Sequence, residues 1–408
     1  MPLPPYLKTP EFRSAPEEYK REITKRVERL MSERVPIVLS LGHVAKLSGT
    51  QFSVLHSIAT RERTSDYRVF QIRKRSGGKR WICVPRGDLA QAQRWIQREI
   101  LSSEGATRAI SPHSTAFAIG SSILSNAHTH CATKYLVKID LSDFFDTIDE
   151  TRVYAAFRHL GYPKLLSFEL SRLCTRTVVR RTVAVPPPPF ARKRWVGTGS
   201  GYPYPTGQLG HLPQGAPTSP MLANLVCVRM DAALGDLASS MGASYTRYAD
   251  DIVMSLDTNS RPIALSLLRR AMEIVRHHGF SVNTRKVSIT PPGARRIVTG
   301  LVVNADAPSV PKEMVSRIEV PLYHIRKHGL LSHCARIGVK NPIRYFRHLE
   351  GLVRFACGIS DSRGTRWFDS LQLAKSANQE VFKAIELFDI ASTAGRAKPP
   401  RGKSRGAP

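Results

Sequence analysis

Apolar positions change their spacing several times along this 408-residue chain, and each change marks an element or a break. After a proline-rich lead, Ser14-Ala15-Pro16-Glu17 reads as a capping box with proline inside the first turn, and a charged helix is expected from there to about Arg34. A helical hairpin is expected over Ile37 to Ala59. From Asp66 the pattern turns to strands: Tyr67 to Ile72 and Arg80 to Val84, joined by Lys74-Arg75-Ser76-Gly77-Gly78-Lys79, whose adjacent glycines suit a hairpin turn. Helical spacing returns at Ala92, Trp95, Ile96, Ile100 and Leu101, predicting a helix from about Leu89 to Leu101.

The central region interleaves the two periods. Lys134 to Asp140 is a short, largely apolar strand ending in an aspartate, and helices are expected from about Glu150 and Pro163. Residues 183–211 are rich in proline and glycine and read as a long surface loop. Pro217 to Leu234 reads as a helix, Ser244 to Tyr248 and Ile252 to Leu256 as a β-hairpin, and Ile263 to His278 as an amphipathic helix. Short strands near Phe280 to Val282 and Ile297 to Val303 complete the unit, so a compact α+β fold is expected. From Pro311 to about Ile390 the spacing is helical, and residues 391–408, with five basic residues and no acidic one, are expected to be disordered.

Composition narrows the partners. A hydrophobic content of 42% excludes a disordered chain, and 61 lysines and arginines against 32 acidic residues give a net charge of +29, the footprint of a polyanion binder. Nucleic acid is the first partner to expect, with a ribosome-associated or membrane-surface protein as the alternative. The six cysteines are scattered without zinc-site or disulfide spacing, which fits a reduced cytoplasmic protein. No signal peptide and no membrane anchor are expected from the N-terminus or from any apolar run.

The chemistry concentrates on aspartates. Asp250 and Asp251 fall between two strand-like runs, so a hairpin tip would present both carboxylates to one place; a divalent cation is the usual means of holding such a pair ionised. Alone, the pair also reads as two solvated turn residues. Asp140 changes that weighting, because a charge ending an apolar strand is awkward unless it faces a cleft or a metal, although it could also cap a helix. Three carboxylates from neighbouring elements can hold two metal ions for in-line phosphoryl transfer. His128 and His130 have no nearby cysteine or carboxylate pattern to complete a zinc site, and packing or hydrogen bonding is the expected role of His130 and Asn126.

Asp140 with an aromatic five residues later, then Leu212-Pro213-Gln214-Gly215, then Tyr248-Ala249-Asp250-Asp251, resembles the reverse transcriptase palm in order and spacing. Asn126-Ala127-His128-Thr129-His130 resembles the Asn-Ala-x-x-His signature of retron reverse transcriptases, and Val298-Thr299-Gly300 their Val-Thr-Gly signature. The chain is thus similar to the bacterial retron type, over roughly Tyr67 to Ile390.

That resemblance implies a right-hand polymerase fold with fingers, palm and helical thumb. The expected division is an N-terminal helical region (1–60), fingers (61–136), palm (137–305) with an insertion at about 183–211, thumb (306–390) and basic tail (391–408). It assigns Asp140, Asp250 and Asp251 to catalysis and to two Mg²⁺ ions, with Mn²⁺ as a substitute. Phe145 becomes the plate beneath the nucleotide sugar, and Gln214 and Gly215 line the nucleotide pocket. Lys74 and Arg80 grip the triphosphate, and Lys286 lies near the leaving pyrophosphate. Arg317, Arg326, Lys327, Arg344 and Arg347 form the expected RNA-binding surface. The implied reaction copies part of a cognate structured non-coding RNA into DNA from dNTPs. It is primed from an RNA 2′-hydroxyl and yields a branched RNA-DNA molecule (msDNA), alongside an effector protein in anti-phage defence. The alternatives are a reverse transcriptase of a group II intron-like, diversity-generating or abortive-infection lineage, or a non-catalytic RNA-binding scaffold.

Overall fold

A computed structural model describes residues 7, 9–63, 66–73, 77–177, 209–359 and 361–382. Lys74, most of the 183–211 insertion, the end of the expected C-terminal helical stretch and the 391–408 tail therefore lie outside the described residues. The chain divides into two compact units, Met1–Thr299 and Gly300–Pro408.

The first unit begins with helices α1 (Pro10–Arg13), α2 (Glu17–Ser32), α3 (Leu41–Ser48) and α4 (Phe52–Ala59). Helix α2 does not start from the expected cap: Ser14 closes α1 as its C-cap, and the N-cap of α2 is Pro16, which offers no side-chain cap. Strands β1 (Tyr67–Arg73) and β2 (Lys79–Pro85) pair antiparallel, with Ile72 opposite Arg80. Helix α5 (Gly87–Trp95) runs on into a π-helical segment, Ile96–Leu101, which the apolar spacing alone could not distinguish from α-helix.

After α6 (Glu104–Ala109) and α7 (Ile123–His128) comes β3 (Tyr135–Asp140), whose residues are buried except Lys138. Helices α8 (Glu150–His159), α9 (Lys164–Cys174) and α10 (Ser219–Ser240) follow, then β4 (Ala243–Tyr248), β5 (Asp251–Leu256) and α11 (Arg261–His277). Ser288–Thr290 (β6) and Ile297–Val298 (β7) are short strands. A four-stranded antiparallel sheet has the order β4-β5-β3-β6. Its central strands β3 and β5 are apolar almost throughout, as strands covered on both faces must be. Helix α10 is apolar nearly all round and buried, whereas α11 turns one stripe, Ala264, Leu267, Ala271 and Val275, toward the core. The strand expected at Phe280 to Val282 reduces to a single bridge between Leu141 and Val282, and the edge strand forms later, at β6.

The second unit holds β8 (Leu301–Val302) and helices α12 (Lys312–His328), α13 (Leu330–Arg336), α14 (Pro342–Cys357) and α15 (Asp361–Ser376). Its own core gathers Ile318, Leu322, Ile325, Phe346, Leu349, Val353, Trp367 and Leu371. The described residues form an α+β protein with a helical C-terminal unit. No described helix is long and apolar enough to cross a membrane.

Candidate active site

Strand pairing brings the three aspartates together. β4 and β5 form a hairpin in which Tyr248 opposes Asp251, leaving Ala249 and Asp250 as its two-residue tip. β5 also pairs with β3, and that register sets Asp140 directly across from Asp251. The pairing continues one step further, since Leu141 N donates to Asp250 O at 3.0 Å. Asp140 and Asp251 thus share the end of one sheet, and Asp250 is carried on the adjoining turn.

The tip is a strained turn. Ala249 has φ +57°, a left-handed conformation that costs a residue with a Cβ about 1 kcal/mol. Two-residue hairpin loops require such positive φ values to match the strand twist. The strain is offset by a buried guanidinium: Arg247 Nη1 donates to Ala249 O at 3.1 Å, while its Nε and Nη2 bind Asp231 at 2.7 Å each. Arg247 and Asp231 are both fully buried, and Tyr245 donates its hydroxyl to the same carboxylate.

The carboxylates themselves are not at ease. Burial first, then Asp251, then Asp140 raise the pKa of Asp250 above the usual carboxylate range. Burial also raises that of Asp251, with Lys138 opposing it. Lys286 Nζ donates to Asp140 Oδ1 at 2.7 Å and Asn283 Nδ2 to Oδ2 at 3.1 Å, so both oxygens of Asp140 are engaged. The bond to Asp140 in turn raises the pKa of Lys286, which stays about half exposed.

A divalent cation fits this arrangement by charge and donor chemistry. Asp250 and Asp251, whose ionised forms are penalised by burial and by neighbouring carboxylates, gain most from a hard cation, and Asp140 adds a third carboxylate beside them. Among the described residues no three acidic, histidine or cysteine side chains already close around one point as a ligand set. Sites that use one or two carboxylates and are completed by substrate phosphates and water need no such cage.

The other expected residues divide. Gln214 and Gly215 lie against β2: Cys83 N donates to Gln214 O at 2.7 Å, and a Cβ on Gly215 would stand 2.8 Å from Ile82 Cγ2. With φ +107° as well, this position admits only glycine. Arg80 is exposed on β2, and Phe145 is half-buried against Phe144, its ring centroid 5.4 Å away. Lys286 reaches Asp140 as described. Arg317, Arg326, Lys327, Arg344 and Arg347 are all exposed on α12 and α14 of the second unit. His130 is buried with both ring nitrogens bonded, as expected of a structural histidine.

Sequence reasoning missed Arg247, Asp231 and Asn224, and did not give Asn283 a site role. The signal for the first pair was an arginine inside the strand preceding Tyr248 and an aspartate within an apolar helix; two buried charges require each other.

Comparison with known proteins identifies the family. Residues 72–306 match the family model described as "Reverse transcriptase (RNA-dependent DNA polymerase)". The retron Ec86 reverse transcriptase of Escherichia coli is 30% identical over 302 residues, covering 73% of this chain and 81% of that protein. The retron Mx162 reverse transcriptase of Myxococcus xanthus is 34% identical over 327 residues, covering 76% of this chain but only 63% of its relative. The retron Mx65 enzyme of the same organism is 30% identical, covering 81% and 71%. A solved telomerase from Candida albicans, in complex with a fragment of telomeric RNA, superposes with a TM-score of 0.43 at 12% identity over 92% of this chain and 63% of that one, too slight a likeness to carry weight. The family model covers more than half of the chain, and two retron enzymes reach 30% identity over at least two thirds of their length. This chain belongs to the reverse transcriptase family and, within it, to the bacterial retron type: an RNA-directed DNA polymerase.

Proposed function

We propose that this polymerase copies part of its own structured non-coding RNA into DNA, primed from a 2′-hydroxyl of that RNA, and leaves a branched RNA-DNA molecule (msDNA). The observation that carries the catalytic half of this reading is the β3–β5 register, which sets Asp140 across from Asp251 beside the Asp250 turn. In the reaction the primer hydroxyl oxygen attacks the α-phosphorus of a dNTP, the bond to the β-phosphate breaks, and pyrophosphate departs. Two Mg²⁺ ions, replaceable by Mn²⁺, would supply Lewis-acid stabilisation of the attacking and leaving oxygens. Asp140, Asp250 and Asp251 would hold them. Lys286, bonded to Asp140 at 2.7 Å, would turn to the pyrophosphate and deliver the proton that the leaving group needs. Arg80, with Lys74, offsets the triphosphate charge. Gln214 and Gly215 line the pocket, and the half-buried Phe145 ring meets the sugar where a ribonucleotide would carry its 2′-hydroxyl.

We assign residues 61–136 to the fingers, 137–305 to the palm and 306–390 to the thumb. The five exposed cations on α12 and α14 suit the backbone of a folded RNA, which is read largely by shape. The six free cysteines fit a reducing cytoplasm, and the retron resemblance implies a role beside an effector protein in anti-phage defence. The test is to sequence the nucleic acid that copurifies with the protein and to treat it with a 2′,5′-debranching activity. A branched species that separates into RNA and DNA is expected. Linear DNA alone would move the enzyme to another lineage.

A further inference from the structure

Hydrogen bonds join the motifs at residues 126–130 and 298–300 and lead to the back of the catalytic turn. Asn126, fully buried at the end of α7, donates from Nδ2 to Thr299 Oγ1 at 3.5 Å, and Thr299 Oγ1 donates to Ile123 O at 3.2 Å. The other side of the same amide, Asn126 Oδ1, lies 2.9 Å from Thr115 Oγ1. Thr115 N in turn donates to Arg247 O at 2.9 Å, and Arg247 N donates to His113 O at 2.8 Å. Segment 113–115 therefore runs as an extra edge along β4, bridged in parallel at Ser114 and Arg247. Arg247 is the residue whose guanidinium holds the strained Ala249 carbonyl.

His130 reaches the same hairpin from the other end of the motif. Its Nδ1 lies 2.8 Å from Ser255 Oγ on β5 and its Nε2 lies 2.7 Å from Thr246 Oγ1 on β4, so one ring ties both strands. Thr246 directly precedes Arg247. Asn224 on α10 completes the support, accepting from Ser114 Oγ at 2.8 Å and donating to Ala116 O at 2.7 Å. Asn126, His130, Ser114, Asn224, Thr246 and Arg247 are buried and Thr115 and Thr299 half-buried, and a network of this kind is rigid only while every member is satisfied.

We propose that Asn126, Thr115, Thr299 and His130 are positioning residues that fix the catalytic turn from behind, the two motifs being halves of one support. They touch no reacting atom. Their effect passes through Arg247 to the placement of Asp250 and Asp251, where a displacement of about 1 Å can cost a hundredfold in rate. This inference rests on the reading that those aspartates hold the cations.

The test uses the full chain and single-nucleotide addition to a DNA primer on an RNA template, measured across a Mg²⁺ titration. Thr299→Val should lower the rate constant about tenfold and shift the half-saturating Mg²⁺ upward, with primer-template affinity held within about twofold. Thr299→Ser, which keeps the hydroxyl, should recover the rate. Asn126→Ala combined with Thr299→Val should be no worse than the more damaging single variant, since both break one link. Thermal melts of each variant correct every rate for the folded fraction. A Thr299→Val enzyme with wild-type rate and Mg²⁺ dependence would overturn the proposal, as would additive losses in the double variant or losses that follow only the folded fraction. Asp250→Asn in the same series separates the two readings: synthesis persisting there defeats the carboxylate assignment itself, whereas its loss beside an unaffected Thr299→Val defeats only the support.

Discussion

The hairpin of β4 and β5 has two faces that solve opposite problems. Its front sets Asp250 and Asp251 beside Asp140 of β3, with Asp250 and Asp251 held above their ordinary pKa by burial and, for Asp250, next by its neighbour. Its back carries Arg247 on Asp231, Asn224 on Ser114 and Ala116, and His130 between two hydroxyls, each with short, well-matched partners. Charge is left under-compensated on the face proposed to take the cations and the triphosphate, and compensated on the face behind it. The difference teaches that the front is stable only because the back is over-determined, the usual way a strained site persists.

The largest effect should come from breaking the back. Arg247→Met leaves Asp231 as an unpaired buried charge and should lower unfolding free energy by about 3–5 kcal/mol, read by denaturant titration. A loss below about 1 kcal/mol would mean that the pair is not the anchor of the turn.

Next comes His130, whose pKa burial lowers from 6.5 to about 4. The unfolded chain binds the proton more readily than the folded one, so this contribution is whole above about pH 6.5 and is lost as pH falls toward 4, by roughly 3 kcal/mol. His130→Asn should flatten that part of the stability profile relative to wild type; parallel profiles would place the ring outside the compensated face.

The front should show the opposite sign. Asp250→Asn removes a carboxylate whose raised pKa means that the folded protein is destabilised as pH rises through it. The metal-free variant should therefore melt higher at neutral pH, by about 1 kcal/mol, the scale of gains at strained functional sites. The gain should vanish in acid, where wild-type Asp250 is protonated. A variant that melts lower at neutral pH would erase the contrast between the faces.

Much of the front was legible because its chemistry is local. An aspartate ending an apolar strand and two more at a hairpin tip are visible as spacing, and Gly215 declared itself beside Gln214. The cross-strand register of Asp140 with Asp251 was not visible, since a one-residue slip leaves the same pattern of apolar residues. The back was hidden for a related reason: Arg247 and Asp231 are sixteen residues apart on a strand and a helix, and only folding makes them partners. Asn126 and Thr299, 173 residues apart, could be recognised as motifs but not as a pair. Ser14 misled because a four-residue helix, α1, claimed it first, and the three-residue β6 is too short to carry a period.

The central claim, that three carboxylates at one sheet end perform the chemistry, is tested most directly by Asp140→Asn. Primer extension on RNA should be measured with dNTPs and Mg²⁺, alongside RNA affinity. The account predicts loss of synthesis by about a thousandfold or more, with RNA affinity within about twofold of wild type. Synthesis within about tenfold of wild type would contradict it.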